Sequence, residues 1–146
     1  MGAYASGRGE KPVNDINQLY ALWLDKTRGD PALHDELLSV QGSENEISDR
    51  FYRSLEFGTG GLRGILGAGT NRMNVYTVAQ VTQGLADYLL ENFTQPSVAI
   101  ACDSRINSDL FARETARVLA ANGIKVFFFD RIVPTPLLSF AVRELG

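Results

Sequence analysis

The sequence predicts an α/β fold, a parallel sheet covered by helices and preceded by a helical arm. Three observations carry this expectation. Two short apolar runs, residues 98–102 and 124–129, flank a segment of helical periodicity, the order of a βαβ unit. Strands apolar on both faces belong to parallel sheets with helices against them. Ahead of residue 55, three consecutive segments read as helices.

The first helix is expected over 14–28. Asn14 or Asp15 stands at its cap, and Ile16, Leu19, Tyr20, Trp23 and Leu24 recur at helical spacing. Asp30 caps a second, with Pro31 at its first position and Leu33, Leu37 and Leu38 as its stripe. Ser43 with Glu46 matches a capping box opening a third, which runs to about Ser54. Residues 55–66 then read as strand, glycine turn, strand. Asn74 is the expected N-cap of a helix reaching residue 93, with Val75, Val78, Val81, Thr82, Leu85, Leu89 and Phe93 on its inward stripe. Asn107 or Ser108 opens the helix of the βαβ unit, whose core face is Phe111, Thr115, Val118 and Leu119, and Gly123 ends it. Phe127, Phe128 and Phe129 are expected to be buried. Thr135-Pro136 starts a last helix over 136–145, with Leu137, Leu138, Ala141, Val142 and Leu145 as its apolar face. The rhythm stops on that helix with no strand to receive it, so the domain reads as incomplete. The expected divisions are a disordered lead-in over 1–12, a helical arm over 13–54 and an α/β domain over 55–146.

With 146 residues, 45% apolar and 21% charged, the chain is long enough for one domain with a real core. It carries no apolar run of bilayer length and no secretory signal in its polar, glycine-rich start. The single Cys102 rules out an internal disulfide and, with the missing signal, points to the cytoplasm. One histidine, His34, expected at the surface, and one cysteine, expected in the core, exclude a zinc site. Glu44, Glu46 and Asp49 are explained by a helix start rather than by a metal, and no metal site is expected in this chain. A net charge of −3 argues against general nucleic-acid binding. Met1-Gly2 with Ser6 fits an acylation pattern formally, but no polybasic patch or second anchor follows, so no membrane partner is expected.

The charge is uneven. Residues 1–56 hold 6 basic and 10 acidic side chains, and residues 57–146 hold 8 and 7. Between Glu56 and Asp87 there is no carboxylate, while Arg63, Arg72 and seven glycines, six of them within residues 58–69, fall there. A turn rich in backbone N–H groups and free of negative charge suits an anion. The segment Phe57-Gly58-Thr59-Gly60-Gly61-Leu62-Arg63-Gly64 misses the dinucleotide fingerprint, which needs a glycine where Arg63 stands, and no Gly-Lys pair exists for a P-loop. Two readings stand side by side: an anion-binding nest around Arg63, or a tight hairpin that needs its glycines and leaves Arg63 in solvent. Asp103 and Arg105 follow a strand directly, where they could pair to shape the loop or touch a ligand.

Residues 55–64 and 67–74, with Thr82-Gln83-Gly84-Leu85-Ala86, Asp103-x-Arg105 and Pro134-Thr135-Pro136, resemble the start of an α-D-phosphohexomutase, nearest the phosphoglucomutase branch that includes phosphopentomutase-like members. The resemblance implies a first domain built as a three-layer sandwich, a mixed, mostly parallel sheet between helices. It implies interconversion of hexose 1-phosphate and hexose 6-phosphate through a phosphoserine and a sugar bisphosphate activator, with Mg2+ bound elsewhere in the full-length enzyme. It places the family's active-site arginine at Arg63, with Thr59, Gly60 and Gly61 at the phosphate. The family's Thr-Ala-Ser-His-Asn-Pro motif does not occur in the sequence. The chain is therefore expected to be an N-terminal part of the first domain, inactive alone, with the remaining domains and a phosphosugar as partners and some tendency to self-associate. The alternative is a non-catalytic interaction or regulatory module.

Overall fold

The computed structural model describes residues 13–145. The expected lead-in over 1–12, the acylation-like pattern within it and Gly146 lie outside the described residues. The chain forms two compact units, one ending at Asn74 and one beginning at Val75.

The first unit opens with α1 (Val13–Lys26), a 3-10 turn (Thr27–Gly29), α2 (Pro31–Ser39) and α3 (Glu44–Phe51). α1 already includes residues 14 and 15, so neither Asn14 nor Asp15 stands at its cap. Asp30 does cap α2, its Oδ1 accepting the Leu33 N–H at 3.3 Å with Pro31 at the first position. Ser43 precedes α3 but makes no side-chain capping bond; Glu44 and Glu46 supply the negative charge that the first turn favours. α3 also stops at Phe51, short of Ser54. The backbone beyond it is engaged elsewhere: the Arg53 carbonyl accepts the Thr70 hydroxyl at 2.7 Å, and the Leu55 N–H donates to the Thr70 carbonyl at 2.7 Å.

Ile16, Tyr20, Leu37, Val40, Ile47 and Phe51 form the core of this unit, joined by Ala68. Phe51 is fully buried, and Tyr20 and Trp23 meet its ring edge-on at 6.0 and 5.7 Å. Burying such a ring contributes about 2–3 kcal/mol. The Tyr20 hydroxyl donates to the Leu37 carbonyl at 2.9 Å, and burial pushes its pKa up. Leu38 is exposed, because successive helix positions diverge by a third of a turn and Leu37 takes the inward direction. His34 is half-buried rather than on the surface, its Nδ1 3.3 Å from the Thr27 hydroxyl. The glycine segment makes a minimal hairpin of β1 (Phe57–Gly58) and β2 (Gly61–Leu62), with Phe57 opposite Leu62 and Gly58 opposite Gly61.

The second unit runs α4 (Val75–Asn92), β3 (Ser97–Ile100), α5 (Ser108–Ala121), β4 (Lys125–Phe128), α6 (Thr135–Leu145). β3 and β4 pair in parallel, from Ser97 opposite Lys125 to Ile100 opposite Phe128, with α5 as the crossover. The described residues thus hold two separate two-stranded sheets, one antiparallel and one parallel. The core is Ala86, Ile100, Ala112, Leu119 and Ile124, with Cys102 packed against it half-buried. Leu85 and Phe93 are exposed; the inward line of α4 passes through Val78, Thr82 and Ala86, and Phe93 lies past the helix end. Gly123 adopts φ +76° where α5 exits. Phe127, Phe128 and Phe129 are half-buried rather than buried: Lys125 lies over Phe127 at 4.6 Å and Arg113 over Phe128 at 5.8 Å. No residue of α6 is buried, and Leu137, Phe140, Val142 and Leu145 are exposed. No described helix is long and apolar enough to cross a membrane.

Candidate functional site

The hairpin displays Thr59 and Gly60 at its tip, both exposed. Gly61 begins β2 at φ +103°, a conformation open to glycine and strained for other residues. Arg63 follows directly and is exposed. Its guanidinium folds back over the turn: a Cβ on Gly60 would stand 2.8 Å from Arg63 Nη2. The bare glycine is what lets the cation lie against the backbone there. Among the described residues, no acid pairs with Arg63. Thr59, Gly60, Gly61 and Arg63 therefore stand together, with one uncommitted cation beside exposed backbone.

Arg72, the other arginine of the acid-free stretch, has a different place. It is buried and forms an ion pair with Asp49 of α3, and its Nη1 donates to the Asn71 carbonyl at 3.1 Å. The sequence grouped it with Arg63 because no carboxylate is near it along the chain; the fold brings one from 23 residues away.

The loop over residues 66–74 holds both stems of the hairpin. Leu55, before β1, donates to Thr70, and the Met73 N–H donates to the Ile65 carbonyl, beyond β2, at 2.8 Å. The loop is itself held by the arm. Glu36 Oε2 accepts the Ala68 N–H at 3.0 Å, Glu36 Oε1 pairs with Arg50, and Arg50 Nη1 donates to the Ala68 carbonyl at 3.2 Å. The Asn71 N–H donates to the Arg50 carbonyl at 2.9 Å, Asn71 Nδ2 to the Asp49 carbonyl at 2.9 Å, and Arg53 Nε to Asn71 Oδ1 at 3.1 Å. Inside the loop, Asn74 Nδ2 donates to the Gly67 and Gly69 carbonyls at 2.8 and 3.0 Å. Sequence reasoning missed Glu36, Asp49, Arg50 and Arg53. The one available signal was the charge imbalance, an acidic arm ahead of an acid-free stretch that carries arginines.

Asp103 and Arg105 belong to the second unit, between β3 and α5. Arg105 Nε and Nη2 reach Asp103 Oδ2 at 2.7 and 2.6 Å, and the Arg105 N–H donates to Asp103 Oδ1 at 3.0 Å. The Asp103 N–H donates to Ser108 Oγ at 3.1 Å. The Arg105 hydrogen bonds hold the Asp103 carboxyl down at about 2 and raise the guanidinium pKa. Asn107 precedes α5 at φ +62° without a side-chain capping bond.

Among the described residues, no three His, Cys, Asp or Glu side chains converge to hold a cation. The described residues offer magnesium no donor set, and the resemblance assigns that ion to other parts of a full-length enzyme.

Residues 54–146 match the family described as phosphoglucomutase/phosphomannomutase, alpha/beta/alpha domain I. The match covers more than half of the sequence, and the chain belongs to that family. Among curated relatives, a "Probable phosphoribomutase" of Schizosaccharomyces pombe is 52% identical over 62% of this chain and 16% of its own length. A "Phosphoglucomutase" of Staphylococcus saprophyticus is 42% identical over 86% of this chain and 22% of its own length. A "Phosphopentomutase" of Homo sapiens is 35% identical over 96% of this chain and 24% of its own length. The chain thus spans about a quarter or less of these relatives. No solved structure matches it significantly.

Proposed function

We propose that this chain supplies the phosphate-binding turn of a phosphosugar mutase. The names of these relatives differ in the sugar, gluco-, pento- or ribo-, and share the phosphosugar and its rearrangement. The group common to all is the phosphate, and one observation carries the reading: Arg63 is an exposed cation without an ion-pair partner among the described residues, lying over an exposed glycine turn. Phosphoryl transfer depends more on positioning and on charge stabilisation at the equatorial oxygens than on covalent help from the protein. In this reading Arg63 donates N–H groups to those oxygens in a bidentate fork, and the Thr59, Gly60 and Gly61 backbone lines the same surface. The reaction proposed for the whole enzyme is exchange between hexose 1-phosphate and hexose 6-phosphate through a phosphoserine and a bisphosphate activator, with magnesium. In this reading the phosphoserine and the magnesium ligands belong to the rest of the enzyme, and the 146-residue chain alone is expected to show no turnover.

The test is ligand-observed phosphorus NMR with glucose 1-phosphate and ribose 1-phosphate, and proton NMR with glucose. The expected result is binding of both phosphosugars, none of glucose, and loss of binding in Arg63→Gln. Phosphosugar binding unchanged in Arg63→Gln overturns the assignment.

A further inference from the structure

We propose that Glu36 of the helical arm is a positioning residue for the Arg63 turn, acting through the loop over residues 66–74. The inference rests on the functional reading of that turn and extends it to a side chain 27 positions earlier in the sequence.

The hairpin is too short to hold itself in place. Two residues pair on each strand, and Phe57 and Ile65 on either side are 69% and 68% exposed, so apolar packing does not fix it. An isolated hairpin of this size is not stable in water. Its position is set by its stems, and each stem is bonded to the loop, Leu55 to Thr70 and Ile65 to Met73. Asn74 Nδ2 and the Gly67 N–H, which donates to the Met73 carbonyl at 3.3 Å, tie the loop to itself. Of the arm's side chains, the Glu36 carboxylate alone among the described residues accepts a backbone N–H of this loop, that of Ala68. Its other oxygen holds Arg50, whose side chain is 12% exposed and which also donates to the Ala68 carbonyl. Both backbone polar groups of Ala68, a fully buried residue, are thus engaged by one carboxylate–guanidinium pair.

The fit is close. A Cβ on Gly67 would stand 2.5 Å from Glu36 Oε1, so the carboxylate lies directly against the loop backbone. Glu36 needs two acceptor oxygens here. A glutamine of the same shape offers one acceptor and one NH2 donor, and whichever way it turns, a donor faces either the Ala68 N–H or Arg50. A second acid touches the same arginine without touching the loop: Glu46 Oε2 lies 3.5 Å from Arg50 Nη2 on the exposed side. Glu46→Gln is therefore the internal control: it removes an ion pair to the same arginine and leaves every bond between arm and loop in place.

The experiment compares the 146-residue chain with its Glu36→Gln and Glu46→Gln variants. It measures amide hydrogen exchange and inorganic phosphate affinity read from the Gly60 and Gly61 amides and the Arg63 Nε–Hε signal. In Glu36→Gln, exchange at Leu55, Ala68 and Met73 is expected to accelerate roughly tenfold, the effect of losing a charge-assisted hydrogen bond. Exchange at Phe129, which bonds to Ile100 in the other unit, stays unchanged. Phosphate affinity is expected to fall because the turn is displaced in the folded protein, a displacement that the Arg63 Nε–Hε signal reports by shifting in the phosphate-free chain. Glu46→Gln is expected to match the wild type in each readout. Three results overturn the proposal: acceleration confined to Ala68, phosphate affinity unchanged in Glu36→Gln, or equal effects from both variants. A wild-type chain that gives no phosphate-dependent shift at the turn overturns the functional reading instead, and exchange at Leu55 and Met73 then decides the clamp alone.

Discussion

Replacing Gly69 by alanine tests how tightly the loop is seated on the arm. Gly69 is buried with φ +130°, a conformation that L side chains rarely adopt. A Cβ there would stand 2.7 Å from the Arg50 carbonyl oxygen and 2.9 Å from Arg50 Cβ. Neither neighbour can swing aside: both belong to α3, and that oxygen accepts the Asn71 N–H. Backbone strain of this kind costs about 1–3 kcal/mol, and forced overpacking about 1–3 kcal/mol more. The combined loss, roughly 2–6 kcal/mol, is large against the 5–15 kcal/mol typical of a whole domain. Two further substitutions separate the contributions. Gly42 has φ +84° but nothing within 4 Å, so Gly42→Ala meets strain alone and loses about 1–2 kcal/mol. Gly29 has neither, and Gly29→Ala gains up to about 1 kcal/mol by restricting the unfolded chain. Trp23 is the sole tryptophan and packs on Phe51, so its fluorescence reports unfolding of this unit. Urea midpoints should fall in the order Gly29→Ala, Gly42→Ala, Gly69→Ala. With a slope of about 1–3 kcal/mol per molar urea, the last should lie at least about 0.7 M below the first. Equal midpoints for Gly42→Ala and Gly69→Ala would refute the seating of the loop against Arg50.

Gly60→Ala separates function from stability. Its Cβ meets the far end of the flexible Arg63 side chain rather than backbone. The urea midpoint should change by less than about 1 kcal/mol equivalent, while phosphate affinity at the turn falls; an unchanged affinity shows that the folded-back guanidinium does not matter. The Asp103 carboxyl, held at about 2 against an ordinary 3.8 by its Arg105 hydrogen bonds, gives a pH prediction. Because the folded value is lowered, its contribution is complete above the ordinary value and is lost as pH falls toward 2. A carboxyl carbon NMR titration should show the midpoint near 2 in the wild type and closer to 3.8 in Arg105→Gln; no movement means that the pair does not form in solution.

The elements legible in the sequence were those specified by neighbours along the chain. The helices of the arm, the Asp30-Pro31 start, the Gly123 exit and the parallel βαβ pairing follow from period and local turn chemistry. What was not legible depended on contacts far apart. The expected strand–turn–strand over 55–66 shrinks to two residues a side because Leu55 and Ile65 bond to the loop instead. Arg72 looked like a partner of Arg63 until Asp49 reached it from α3. Leu85 was placed one position off the buried line of α4, since a helical stripe is broader than its contact. At the turn, composition alone left Arg63 between solvent and an anion; its lack of an acid partner became visible only when every neighbouring carboxylate had been placed.

The central claim is that the Thr59-Gly60-Gly61 turn and Arg63 form the anion-binding surface of this chain. A nitrogen–proton chemical-shift map of the 146-residue protein, titrated with inorganic phosphate, tests it most directly. The account predicts that the amides of Gly60, Gly61 and Gly64 and the Arg63 Nε–Hε signal move first and with one shared binding curve. Shifts concentrated instead at Asp103, Arg105 and the start of α5 would contradict it.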